Sequence, residues 1–136
     1  GPWSNYIDRQ RGSLLGRYTT TVDGMFEEQS APQTMGDRQG LRQLTLDNDA
    51  TQLQITTEGM VAFSLSHFDD AQFNYDVFYG GKHPYDLVRS PQIFAHFDFW
   101  QRGIGNHSCG GDSCLPQYMA PTGSHEFTLR FTPMAK

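Results

Sequence analysis

Apolar and polar side chains alternate along much of this chain, and helical periodicity is nearly absent. Leu53 and Ile55 interleave with Gln52, Gln54 and Thr56, the period of two that sends successive side chains to opposite faces of a strand. Val61, Phe63 and Leu65 repeat the pattern over residues 60–65. Residues 41–46 alternate less cleanly, and residues 13–22 end in the β-branched run Thr19-Thr20-Thr21-Val22. Both segments are predicted as strands. Over residues 93–100, Ile93, Ala95, Phe97 and Phe99 share one face, and Phe94, His96, Asp98 and Trp100 the other. Large side chains on both faces predict a central strand covered from two sides. A last strand is predicted over residues 126–131, with Phe127, Leu129 and Phe131 facing inward.

Turn chemistry separates these runs. Asp47-Asn48-Asp49 reads as a turn between two strands. Residues 69–75 carry the one helical signal, sufficient for a turn or two. Residues 23–39 form a long stretch with little periodicity, and long ordered loops of this kind tend to serve function or cover another surface. Short strands joined by Gly, Pro and Asp turns predict an all-β fold, an antiparallel β-sandwich.

Composition narrows the possibilities. The 136 residues suit one domain. Aromatic residues make up 13% of the chain, which argues against disorder. The net charge of −5 leaves no basic footprint for nucleic acid. Mean hydropathy is −0.58, and no apolar run approaches a membrane span. The chain opens on Gly1-Pro2-Trp3 with no initiator Met, as expected of a piece or mature product of something longer.

Candidate chemistry is sparse. Cys109 and Cys114 bracket a Gly-containing tetrapeptide and leave a small disulfide loop or two thiols equally open. His107 and His125 do not complete a common zinc spacing with them. No nucleophile elbow, phosphate loop or dinucleotide fingerprint is present. The acidic residues Glu27, Glu28, Asp69, Asp70, Asp98, Asp112 and Glu126 are scattered, and read as turn caps and solvated charges. His67, His83 and His96 stand beside no nucleophile, and His96 reads as a hydrogen-bonded core residue. Arg38 and Arg42 are spaced to face one carboxylate or one sheet edge.

Three stretches taken together resemble one family. Gly1-Pro2-Trp3-Ser4-Asn5-Tyr6-Ile7-Asp8-Arg9 resembles the Gly-Pro-x-Glu-Asn-Tyr-x-Asp-Arg segment of the large β-galactosidases of glycoside hydrolase family 2. Pro32-Gln33-Thr34-Met35-Gly36-Asp37-Arg38, with Arg42 and Leu44 following, resembles their Pro-Gln/Ser-Glu-Asn-Gly-x-Arg segment and its trailing Arg-x-Leu. Gly103-Ile104-Gly105-Asn106-His107-Ser108-Cys109-Gly110, then Leu115-Pro116-Gln117-Tyr118, resembles the late Gly-x-Gly loop. Order and spacing match to the terminal strand.

The resemblance implies the later half of a C-terminal domain, an antiparallel β-sandwich resembling the galactose-mutarotase-like supersandwich. It implies that the catalytic glutamates belong to a separate barrel earlier in the parent chain, so no residue here is catalytic. It also implies that residues 103–121 reach the edge of the sugar site, making Asn106, His107, Ser108 and Cys109 the candidate substrate-binding residues. Ser4 replaces the usual Glu, Thr34-Met35 replaces Glu-Asn, and the position where many members place a sugar-stacking Trp falls on Cys109 without an insertion, or on Cys114 if Asp112-Ser113 is aligned with the family's Asp-Ser. The implied partners are the remainder of the parent glycosidase and a galactoside-type carbohydrate, with no cofactor, metal, nucleic acid or membrane. The isolated chain is expected to form a homo-oligomer through apolar surface left uncovered around residues 93–100. A competing reading is a free-standing carbohydrate-binding sandwich that uses Trp3, Tyr79 or Trp100. A third is an independent enzyme, which needs two carboxylates converging in a cleft.

Overall fold

A computed structural model describes residues 1–29, 35–73, 82–104 and 114–136. Four strands form one antiparallel sheet: β1 (Arg38–Asp47), β2 (Gln52–Ser66), β3 (Phe94–Asp98) and β4 (Thr128–Met134). The all-β, antiparallel class expected from the alternation holds, and the sheet is of the kind that forms one layer of a sandwich. Helix among the described residues is confined to short 3₁₀ segments, and none is long and apolar enough to cross a membrane. The expected turn near Asp69 is the 3₁₀ segment Asp70–Gln72, capped where Asp69 accepts from the Ala71 amide. The similar turns Ile7–Gly12, Asp23–Met25, Pro84–Asp86 and Pro116–Tyr118 had no periodic signal, because a segment of three to six residues is too short to repeat one.

β2 is the axis of the sheet. β1 pairs along one edge, while β4 and β3 share the other edge, β4 beside its first half and β3 beside its second. The two alternating runs predicted at 52–56 and 60–65 are therefore one strand of 15 residues. The interruption between them is a bulge: Leu41 pairs with Val61 but Gln43 pairs with Thr56, so the intervening β2 residues swell out of register. Thr57 Oγ1 pins the bulge by donating to the Leu41 carbonyl at 2.6 Å. The β1–β2 turn is built as its composition indicated. Asn48 Oδ1 accepts from the amides of Ala50 and Thr51 at 3.0 and 2.8 Å, and from Thr51 Oγ1 at 3.1 Å.

Two expectations are corrected. Among the described residues, 13–22 join no sheet, and most of them, including Leu14, Leu15 and Tyr18, stand exposed. A β-branched run supplies propensity but no partner, and a strand needs cross-strand neighbours to bury its face. β3 is not central. Among the described residues it pairs with β2 alone, starts at Phe94, and is half-buried along most of its length.

Register assigns the faces, since directly paired residues point the same way. Leu44, Ile55 and Phe131 lie in line, as do Leu46, Leu53 and Pro133. Farther along β2, Phe63 pairs with Phe97 and Leu65 with Ala95. The edge-on contact of Phe97 with Phe131, 6.2 Å between ring centroids, joins the two halves into one apolar face. The opposite face is polar beside β4, with Thr56 opposite Arg130 and Gln54 opposite Thr132. Beside β3 it presents Ser64 opposite His96 and Ala62 opposite Asp98. The core gathers at the second half of β2, where Val61, Ala62, Ser64 and Leu65 are all buried.

Candidate functional site

The polar end of β2 and β3 opens into a cleft of about 440 Å³. Ser64, His96 and Asp98 form its floor. Tyr6 comes from the N-terminal segment, Met35 and Asp37 from the approach to β1, and Trp100, Gln101 and Arg102 from the chain leaving β3. A small Ser at 64 leaves room where a larger residue would fill the space.

The walls are tied together through Arg38. Its buried guanidinium donates from Nη2 to the Pro2 carbonyl at 2.9 Å, from Nη1 to that of Met25 at 3.3 Å, and from Nη1 to the carbonyl of Gly36. One fork of donors thus holds three separate stretches of backbone. The Asn5 amide donates to the Asp37 carbonyl at 2.8 Å, and the Ser4 amide donates to Glu27 Oε1 at 2.8 Å. Gly36 has φ +80°, and a Cβ there would stand 2.6 Å from the Met25 carbonyl oxygen, so glycine alone fits. Gly103 lies against Asp8, where a Cβ would meet the carboxylate at 2.7 Å. The Gly103 amide donates to the Tyr118 carbonyl at 3.0 Å and closes the base of the late loop.

Asp37 is the most perturbed group in the cleft. Only 4% of it is exposed. Burial, reinforced by the nearby Asp98 carboxylate, pushes its pKa up to about 7, against the opposing pull of a hydrogen bond from Gln39 and the Arg38 charge. Gln39 Nε2 donates to Asp37 Oδ2 at 2.6 Å and to Gln101 Oε1 at 3.3 Å. His96 Nε2 lies 3.4 Å from Asp70 Oδ2, and Trp100 Nε1 is buried with no hydrogen-bond partner among the described residues.

The sequence-predicted site residues Asn106, His107, Ser108 and Cys109 lie outside the described residues, as do Asp112 and Tyr79. Cys114 is half-buried at the far stem of the loop. Trp3 is 70% exposed, while Trp100 lines the cleft. Several scattered polar residues are caps or local partners: Asp86 accepts from the His83 amide, and His125 stacks on Phe99 with ring centroids 4.4 Å apart. Arg38 and Arg42 do not converge. Arg38 turns into the core, while exposed Arg42 donates to the Gly40 carbonyl at 3.4 Å, and a register irregularity separates them on β1. Asp37 and Gln39 were missed. Asp37 occupies the variable position of its motif, and its flanks Gly36 and Arg38 were the only signal. Among the described residues no cluster of three His, Cys, Asp or Glu side chains could hold a metal.

Described residues of the three motifs, far apart in sequence, thus come together at one end of an antiparallel sheet: Tyr6, Met35 and Asp37 line the cleft, and Gly103 lies against Asp8. Comparison with known proteins identifies the family to which this sequence belongs. The chain belongs to the β-galactosidase small chain family, whose profile matches residues 1–132. It is similar to a β-galactosidase of Vibrio cholerae, at 29% identity over 132 residues, which covers 96% of this chain and 12% of that protein. A β-galactosidase of Aeromonas hydrophila is 30% identical over 125 residues, covering 92% and 11%. One from Streptococcus thermophilus is 24% identical over 135 residues, covering 98% and 13%. The chain therefore spans about an eighth of the length of these relatives.

Proposed function

We propose that this chain is a non-catalytic segment of a β-galactosidase-like glycoside hydrolase, the later half of its C-terminal domain. It shapes one edge of the site where the parent enzyme hydrolyses terminal β-galactosides. The carrying observation is the tying of Pro2 and Asn5 to Arg38 and Asp37, with Gly103 at the base of the late loop packed against Asp8 of the same N-terminal segment. Such tying fixes where a loop leaves the sheet, and a loop held at its stem offers side chains to a substrate at little ordering cost. The loop's contribution to a galactoside comes from Asn106, His107, Ser108 and Cys109, through backbone and small polar groups. No cofactor is required of this segment. Its partners are the rest of the parent chain and a galactoside-type sugar.

His107→Ala in the intact parent enzyme tests this reading. The Michaelis constant for an aryl galactoside should rise while the thermal unfolding midpoint stays in place. An unchanged Michaelis constant and turnover would reduce the loop to a connector.

One observation favours a second reading, an independent hydrolase: Asp37 and Asp98 line the same cleft, and Asp37 titrates near neutrality. Against it, the Asp37 carboxylate is almost wholly covered and is engaged by Gln39. The 136-residue chain is expected to show no turnover of an aryl galactoside at any pH. Activity abolished by Asp98→Asn would establish the second reading instead.

A further inference from the structure

We infer that Gln39 is a positioning residue, whose side-chain amide joins the buried Asp37 carboxylate to Gln101 and so holds the base of the late loop in place. This rests on the reading of that loop as the sugar-facing edge, and extends it to a residue on β1 that lies in none of the recognised contacts.

One nitrogen serves both ends of the bridge. Gln39 Nε2 donates to Asp37 Oδ2 at 2.6 Å and to Gln101 Oε1 at 3.3 Å. Whenever Asp37 is ionised it is acceptor-only, and the 2.6 Å contact then fixes which end of the Gln39 amide faces inward. That orientation requires Gln101 to present its oxygen, leaving its own NH₂ for the cleft. Asp37 is itself anchored: its backbone carbonyl accepts from the Asn5 amide, and neighbouring Arg38 donates to three carbonyls. Gln101 stands two residues before Gly103, whose amide closes the loop base on Tyr118. Rigidity thus passes from the best-anchored point of the N-terminal motifs, through one side chain, to the stem of the loop.

The bridge needs a donor of about this length at position 39, which separates positioning from packing. In the intact parent enzyme, Gln39→Lys keeps a donor for both acceptors. Gln39→Met keeps the bulk but loses it, and Gln39→Glu turns it into a third acceptor. Hydrogen exchange at the Gly103 amide reads the loop base directly, without reference to activity. Exchange should quicken about three- to tenfold in Gln39→Met, as expected for loss of one such hydrogen bond, more in Gln39→Glu, and least in Gln39→Lys. The Michaelis constant should follow the same order with turnover nearly unchanged. A simple packing role gives the reverse order, with Met closest to wild type and Lys worst, and that result would overturn the inference. Unchanged Gly103 exchange in both Gln39→Met and Gln39→Glu would overturn it too. Exchange that follows the donor order while the Michaelis constant stays fixed would uphold the bridge, and would remove the late loop from the sugar site.

Discussion

Replacing Asp37 by Asn should make this chain more stable at alkaline pH and leave it nearly unchanged in acid. The Asp37 carboxyl titrates near 7 in the folded chain, against about 3.9 for an unstrained aspartate. A raised folded value means that the folded state holds the proton more tightly than the unfolded one. The associated stability is fully present below about pH 4, declines as pH rises, and is gone above about pH 7. At about 1.4 kcal/mol for each tenfold change, the full span is about 4 kcal/mol. Relaxation of the surroundings about the charged carboxylate lowers the expected effect to about 2–4 kcal/mol at pH 8. Asparagine keeps an oxygen to accept from Gln39 and places a neutral amide opposite Asp98, so little else is lost. Tyr6, His96, Asp98 and Arg102 also line the cleft, so variant and wild type are compared at each pH. Urea unfolding followed by tryptophan fluorescence from pH 4 to pH 8 measures the difference. A variant less stable than wild type at pH 8, or a difference that does not change with pH, would refute the reasoning and make Asp37 a net stabilising charge.

Arg38→Ala should cost about 3 kcal/mol or more, since it removes a buried cation and strips donors from three backbone carbonyls. Arg38→Lys should recover little of that, because an ammonium cannot fork across the same acceptors; shifts in urea midpoint check both. Gly103→Ala would set a methyl 2.7 Å from the Asp8 carboxylate. It should destabilise by about 1–3 kcal/mol, with proteolytic nicking in the late loop rising in step. The isolated chain should self-associate through the apolar face, on which Phe131 is 53% exposed. A molar mass that falls with dilution in sedimentation would show this, and a strict monomer at all concentrations would contradict it.

The parts of the fold legible in the sequence are those in which local pattern and tertiary partner agree. Leu53 and Ile55, then Val61, Phe63 and Leu65, alternate because one face of β2 is apolar along its length, so their periodicity carries the strand. Asn48 announces its turn because its side-chain oxygen builds that turn from adjacent amides. Residues 13–22 mislead for the opposite reason: their propensity is real, but none of the described strands pairs with them. β3 misleads more subtly. Its two large-residue faces arise because one meets Phe131 and the other lines a cleft, and periodicity cannot tell a cleft from a second layer of protein. Asp37 and Gln39 were illegible because what distinguishes them is burial and a contact with Gln101, 62 residues from Gln39.

The same logic explains why three weak motifs carry so much. Gly-Pro-x-x-Asn at the N-terminus has no helix to cap and no strand to alternate, and Gly36-Asp37-Arg38 by itself is an ordinary entry to β1. Each becomes specific only when Arg38 captures the Pro2 carbonyl and Asn5 donates to that of Asp37. Backbone carbonyls are available in every residue, so the captured partners need no particular side chain. What is constrained is the captor, together with the small residues that let backbone come close: Gly36 beneath Met25 and Gly103 against Asp8. A motif of scattered Gly, Asn and Arg separated by free positions is the expected trace of such an assembly. The tied stretches bound a cleft at the polar end of the sheet and leave the apolar face outside the knot. The sheet's two faces therefore differ in kind: one bounds the cleft and its tied backbone, and the other carries the exposed Phe131.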